Sequence, residues 1–234
     1  MNYESFLELV TKRRSIRRFK PEPLPGEYVD KIVEAARLAP TAANSQPCEF
    51  IVVKKQELKE RIAQLIKEDD ALAHKLELTR EPRLRHPVFE KLSDRPAGFI
   101  AAPVYIILCG DIRTKNAYPL TVFLQRGQSN FISSLANTFA YMHLAATTLG
   151  LGSQWVSAVA NLSVQPLIKN LLDIPEELEI YDMMAVGYSD SEPKPRLVRA
   201  REEIVHYDYY DRAKFRSDEE VRDFTTSIRQ ARKS

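Results

Sequence analysis

The stretch GQSNFISSLANTFAYMHLAATTLGLG, residues 127–152, limits what this chain can fold into more than any other segment. It reads as the longest helix, over 128–149, closed by Gly150 or Gly152 in the C′ role. Its apolar residues, Phe131, Ile132, Leu135, Phe139, Met142 and Leu144, leave almost no wholly polar face. A surface helix normally keeps one face for water. In a chain of 234 residues, apolar residues all round such a helix predict that a partner covers one side.

Around it, helices and strands interleave irregularly. A first amphipathic helix covers residues 3–12 with Asn2 as its cap, and PEPLPGE breaks the chain before a second helix at about 27–38. A strand is expected at 49–54, then a helix in QELKERIAQLIKEDD with Leu58, Ile62, Leu65 and Ile66 on one face. Residues 68–98 are polar and punctuated by proline, and predict a long lid-like loop with one short helix around 87–93. His86, Phe89 and Phe99 are its candidate substrate contacts, against the plainer reading of a surface segment. PVYIILCGD is a buried-type strand, SQWVSA a short strand, SVQPLIKNLLDI a helix and LEIYDMMAVGYS a strand. No steady βαβ rhythm is present, so the class is α+β. The expectation is one domain over 1–234, with an arm-like tail from 190 in which Ser217 and Glu220 form a capping box.

Composition closes several doors. With 34 basic and 32 acidic residues the net charge is +2, which gives no nucleic-acid footprint. Cys48 and Cys109 have neither CxxC nor zinc spacing, so a reducing compartment is the simplest reading. The N-terminus lacks a signal-peptide core, and GFIAAPVYIILCG is too short to span a bilayer. The expectation is a cytoplasmic protein without membrane contact. Dinucleotide, Walker, zinc-protease and nucleophile-elbow signatures are absent, and the seven glycines are too few for a phosphate cradle of the Gly-rich kind. The four histidines have no metal spacing, and His143 reads as a core histidine.

Three polar clusters remain. RRSIR places Arg13, Arg14, Ser15 and Arg17 at the end of the first helix. Such cations suit a helix C-terminus, but five basic residues within 12–18 also suit an anion, and Arg forks fit phosphate. PTAANSQP pens Thr41, Asn44, Ser45 and Gln46 between two prolines. These groups either cap their own turn or offer paired donors and acceptors to a heterocyclic imide edge. PKPRLVRAR carries Lys194, Arg196, Arg199 and Arg201, either as a solvated tail or as part of an anion site.

In order along the chain, RRSxR, PTxxNSQP, LGLGSQW and GYSxxxPKPR resemble the FMN-dependent nitroreductase family, over nearly the whole sequence. The resemblance implies an α+β fold with a central antiparallel or mixed sheet flanked by helices. It also implies an intertwined homodimer in which the long helix pairs across the interface and C-terminal arms embrace the partner. FMN would bind at that interface. NADH or NADPH would deliver a hydride to it, and a nitroaromatic, quinone or related small-molecule acceptor would then take the electrons in ping-pong order.

By position, Arg13 and Ser15, with Arg14 nearby, would grip the FMN phosphate. Arg199 would complete that clamp, with Arg196 beside it as a further candidate. Arg17 would lie near the flavin pyrimidine and favour its reduced, anionic form. Asn44 and Gln46 would bond the ring edge or ribityl chain, Asn44 from the partner subunit. Trp155, Val156 and Ser157 would pass the other side of the ring and offer backbone groups. No protein acid or base is obligatory, since the flavin carries the chemistry. The chain departs from the family pattern at Cys48, where an aromatic is usual, and at Arg201, where an apolar residue is usual; Thr41 replaces the commoner Ser. Rival readings on the same scaffold are reductive dehalogenation, azoline oxidation and a non-catalytic FMN-binding homodimer. FMN destruction for a cobalamin ligand is disfavoured by ANSQP.

Overall fold

The computed structural model describes residues 2–85, 98–193 and 197–231. These fall into two compact units, Met1–Pro193 and Lys194–Ser234.

The first unit is built on a four-stranded sheet. Helix α1 (Tyr3–Lys12) starts where the Asn2 side chain accepts from Ser5 N, and α2 (Gly26–Arg37) follows the proline-rich break. Strand β1 (Cys48–Val53) leads into α3 (Gln56–Leu78), and β2 (Val104–Asp111) into the long α4 (Leu120–Thr148). Then come β3 (Gly152–Val156), α5 (Gln165–Leu172) and β4 (Leu178–Gly187). The order across the sheet is β1-β2-β4-β3, every pair antiparallel, which leaves β1 and β3 at the edges.

Alternation along β2 and β4 sorts the core into two layers. Tyr105, Ile107, Cys109, Met183 and Ala185 share a cluster with Ile62 and Ile66 of α3 and Ile168 of α5. Ile106, Leu108, Met184 and Val186 share the other with Ile32 of α2 and with Phe131, Leu135, Phe139 and Met142 of α4. Both central strands are thus buried on both faces, which is why their sequences read as nearly continuous apolar runs.

Helix α4 starts at Leu120, eight residues before the expected 128, with Pro119 at its N-cap. Gly150, at φ 71°, takes the C′ position, while Gly152 belongs to β3. The helix buries one face on the sheet and leaves Leu120, Leu124 and Ile132 exposed. A second difference concerns residues 68–78, expected as loop. They continue α3 to Leu78, because Ala71, Leu72, Ala73, Lys75, Leu76 and Glu77 are strong helix formers even where Leu72 and Leu76 stay exposed. The short helix expected around 87–93, with His86 and Phe89, lies outside the described residues. Phe99 is no surface contact: it is buried and meets Tyr105 edge-on at 5.8 Å.

The second unit contains α6 (Arg201–Ile204) and α7 (Asp218–Ala231). Helix α7 is opened by a reciprocal capping box: Ser217 N donates to Glu220 Oε2 at 2.7 Å and Glu220 N to Ser217 Oγ at 3.2 Å.

Candidate functional site

Three segments carry the predicted residues, and two of them meet at β3. After α1 the chain turns extended at Arg13, whose N–H donates to Leu9 O, and runs beside β3. Ser15 forms a parallel bridge with Ser153, fixed by Ile16 N donating to Ser153 O at 2.9 Å. Two glycines permit this close approach. A Cβ on Gly152 would sit 2.8 Å from the Ile16 side chain, and one on Gly98 would sit 2.1 Å from the Arg17 carbonyl oxygen. Ile16 is buried while Ser15 and Arg17 face outward. Among the described residues Arg14, Arg17 and Arg18 form no ion pair with an acid, whereas Lys12 pairs with Glu8 at 2.7 Å. The segment therefore presents basic side chains whose charge is not consumed internally.

Strand β3 supplies the second group. Trp155 is 45% exposed, and its Nε1–H donates to Asp182 Oδ2 at 2.6 Å. Phe139 of α4 meets the indole edge-on at 4.6 Å, and His143 stacks on it at 5.8 Å. His143 is buried, bonds Ser153 Oγ through Nδ1 at 2.7 Å and has no Nε2 partner among the described residues. Burial, with Arg13 nearby, pushes its pKa from 6.5 down to about 4, so the ring is neutral. Burial pushes the Asp182 carboxyl up from 3.8 to about 6, against the opposing Trp155 hydrogen bond. The Val156 side chain is buried, so only its backbone can face a ligand; Ser157 is exposed.

The third segment is the PTAANSQP loop. Ala43, Asn44 and Gln46 all adopt positive φ, at 52°, 51° and 44°. This conformation is costly for a residue with a Cβ, and least so for Asn. The loop is held by Thr41, whose Oγ1 accepts from Gln46 N at 3.1 Å, and by α4, where Ser134 Oγ accepts from Ala42 N at 2.9 Å and Asn137 Nδ2 donates to Pro40 O at 3.2 Å. Of the four polar residues expected to cap their own turn, Thr41 does so through its side chain. The Asn44 side-chain amide is exposed and makes no hydrogen bond among the described residues, while Gln46 Nε2 reaches only Asn44 O at 3.4 Å. Both the loop and the Trp155 cluster are fastened to α4, at Ser134 and His143, roughly 13 Å apart along the helix axis.

Arg199 belongs to the second unit, where it pairs with Glu203 at 3.3 Å. Arg201 donates to Tyr207 Oη at 2.9 Å, a local contact within the tail. Arg196 lies outside the described residues. Sequence reasoning passed over Asp182, Ser134 and Asn137. A signal for Asp182 was present, since it is a lone carboxylate inside the apolar run IYDMMAVG.

A protein of Methanothermobacter thermautotrophicus, provisionally named NADH dehydrogenase/NAD(P)H nitroreductase, is 27% identical over 190 residues, 81% of this chain and 80% of the relative. The iodotyrosine deiodinase of Thermotoga neapolitana is 27% identical over 203 residues, 87% of this chain and 97% of the relative. Among solved structures, oxidised iodotyrosine deiodinase bound to FMN and 3-iodo-L-tyrosine aligns with a TM-score of 0.67 at 25% identity, covering 87% of this chain and 99% of the other. The family model described as the nitroreductase family matches residues 10–188, which takes in α1's end, the loop and every strand. The chain belongs to the nitroreductase family.

Proposed function

We propose that the protein is an FMN-dependent oxidoreductase that uses NADH or NADPH to reduce nitroaromatics, quinones or similar electron-poor acceptors in ping-pong order. The observation that carries this reading is the basic 13–18 segment fastened to the edge of β3, beside the exposed indole of Trp155. The donor set fits FMN at both ends. Arg14, Arg17 and Arg18 have no acidic partner among the described residues, and guanidinium forks suit a phosphate. The uncommitted Asn44 amide, held on a stiff loop, suits a ring edge that both donates and accepts. Bound FMN would supply the hydride chemistry.

In this reading Arg13, Arg14 and Ser15 bind the phosphate. Arg17 offers positive charge where negative charge develops on the ring. Asn44 and Gln46 orient the ring edge, and the backbone of Trp155–Ser157 borders the opposite side. The functional unit is a homodimer in which the tail serves as an arm. Support comes from α4's exposed Leu120, Leu124 and Ile132, and from α1, which buries no residue in the single chain. A cytoplasmic setting accords with the free thiols of Cys48 and Cys109.

Purified protein should carry, or tightly bind, FMN that NAD(P)H bleaches anaerobically and a nitroaromatic reoxidises. Flavin that binds but is never bleached would sink the reductase reading and leave a flavin-binding homodimer. A second reading, reductive dehalogenation, is favoured by the deiodinase relatives. It predicts turnover of 3-iodo-L-tyrosine exceeding that of any nitroaromatic.

A further inference from the structure

Trp155 is the chain's single tryptophan, and it stands half out on an edge strand. An exposed indole in such a place would ordinarily sample several rotamers. This one is gripped instead: Asp182 takes its N–H, Phe139 meets it in an edge contact at 4.6 Å, His143 lies near-parallel to it at 5.8 Å, and Tyr181 tilts against it at 6.3 Å. Asp182 is 7% exposed, and the indole is its side chain's one hydrogen-bond donor among the described residues. A carboxylate with so little solvation is costly to keep in an otherwise apolar strand. An apolar residue would pack there more cheaply, so the carboxylate points to a task beyond packing. A carboxylate acceptor also polarises the indole N–H and enriches the ring face in negative potential. Such a face is complementary to a planar, electron-poor ring.

We propose that Asp182 is a positioning residue that locks the Trp155 indole as a stacking surface for a planar electron-poor ring, either the flavin or the acceptor that follows it. This rests on the flavin-site reading above. The two ring sources differ in which constant responds. If the flavin stacks on Trp155, loosening the indole weakens FMN binding; if the acceptor stacks there, it raises the acceptor KM with FMN affinity intact.

The test compares the wild-type full-length chain with Asp182→Asn, which retains an acceptor oxygen, and Asp182→Leu, which fills the site but cannot accept. Time-resolved fluorescence anisotropy of the lone tryptophan is measured on FMN-free protein. FMN titration and steady-state reduction of nitrofurazone and benzoquinone follow on reloaded protein. Asp182→Leu should add a fast indole motion absent from the wild type and from Asp182→Asn. It should also raise either the FMN Kd or the acceptor KM by about tenfold, as for loss of one hydrogen bond to a charged group. Asp182→Asn should restore both within about threefold. An indole that stays rigid in Asp182→Leu overturns the proposal. So does one that becomes mobile while Kd and KM both hold. A wild-type chain that takes up no FMN overturns the flavin reading itself and the stacking role with it. The anisotropy of the FMN-free protein separates that failure from a failure of Asp182 to hold the ring.

Discussion

Cys48 Sγ lies 3.0 Å from Thr138 Oγ1, and Thr138 in turn bonds Ser134 O one helical turn back. The thiol at the start of β1 is thereby tied to the same face of α4 that holds the PTAANSQP loop through Ser134. The small thiol sits within hydrogen-bond reach of the helix at this point. Burial pushes the Cys48 thiol above its usual range, and burial pushes Cys109 up to about 12. Both thiols should therefore react slowly with a disulfide reagent in the native state and rapidly in urea. Cys48→Ala should cost roughly 1 kcal/mol in urea unfolding, and Cys48→Ala with Thr138→Val less than the sum of the two.

His143 and Asp182 oppose one another as pH falls. The native His143 ring takes a proton only near 4, against 6.5 when unfolded, so acid favours unfolding across that window. The native Asp182 carboxyl takes its proton near 6, against 3.8 when unfolded; its stabilising contribution is present below 3.8 and lost as pH rises through about 6. Between pH 6 and 4 the two effects largely cancel. Asp182→Asn should be more stable than the wild type at neutral pH, by up to about 3 kcal/mol, and should lose stability more steeply on acidification. Chemical denaturation at a series of pH values measures both slopes. Parallel profiles for the two proteins would refute the assignment.

At Gly98 the constraint is the backbone of Arg17. An added Cβ would sit 2.1 Å from the Arg17 carbonyl oxygen, so one of the two segments must move. Gly98→Ala is expected to lower stability by roughly 2 kcal/mol and to weaken FMN binding in the same variant. Thermal unfolding and flavin titration read the two effects. A variant that is destabilised but binds FMN normally would detach Arg17 from the cofactor site.

Backbone strain in the PTAANSQP loop separates fold from function. Ala43 has no side-chain group to justify its left-handed backbone. Ala43→Gly should raise stability by roughly 1 kcal/mol without changing ligand affinity. Asn44→Gly relieves less strain, because Asn tolerates this conformation, but removes the uncommitted amide; FMN affinity should fall about tenfold.

The elements were legible wherever burial has a period. The nearly all-apolar β2 and β4 announce strands covered on both faces, and the stripes of α2 and α3 announce their helices. Reading failed where no period exists. Residues 68–78 extend α3 mainly through helix propensity, with Asp69 held by Asn161 and Ser163, and apolar spacing announces neither. Phe99 reads as part of a polar surface segment because its burial comes from the core layer it shares with Tyr105, Ile62 and Ile66, which no local pattern announces. In the loop, residue types showed that hydrogen bonding was intended, but not that Thr41 would close the turn and leave Asn44 open. Asp182 was missed for a related reason: its partner is on a neighbouring strand, and only the sheet order brings them together.

The parallel bridge between Ser15 and Ser153 has a meaning for the chain's behaviour in a crowded cell. Strand β3 is an edge, and an uncovered edge is a template on which other strands can assemble. The basic segment lies along that edge, and its arginines keep like-charged copies apart. Ordering this segment thus serves solubility as well as the proposed anion site. A chain whose RRSIR stretch is displaced should lose its guard against self-association together with the proposed anion site, so aggregation and any loss of FMN binding should arise from one event.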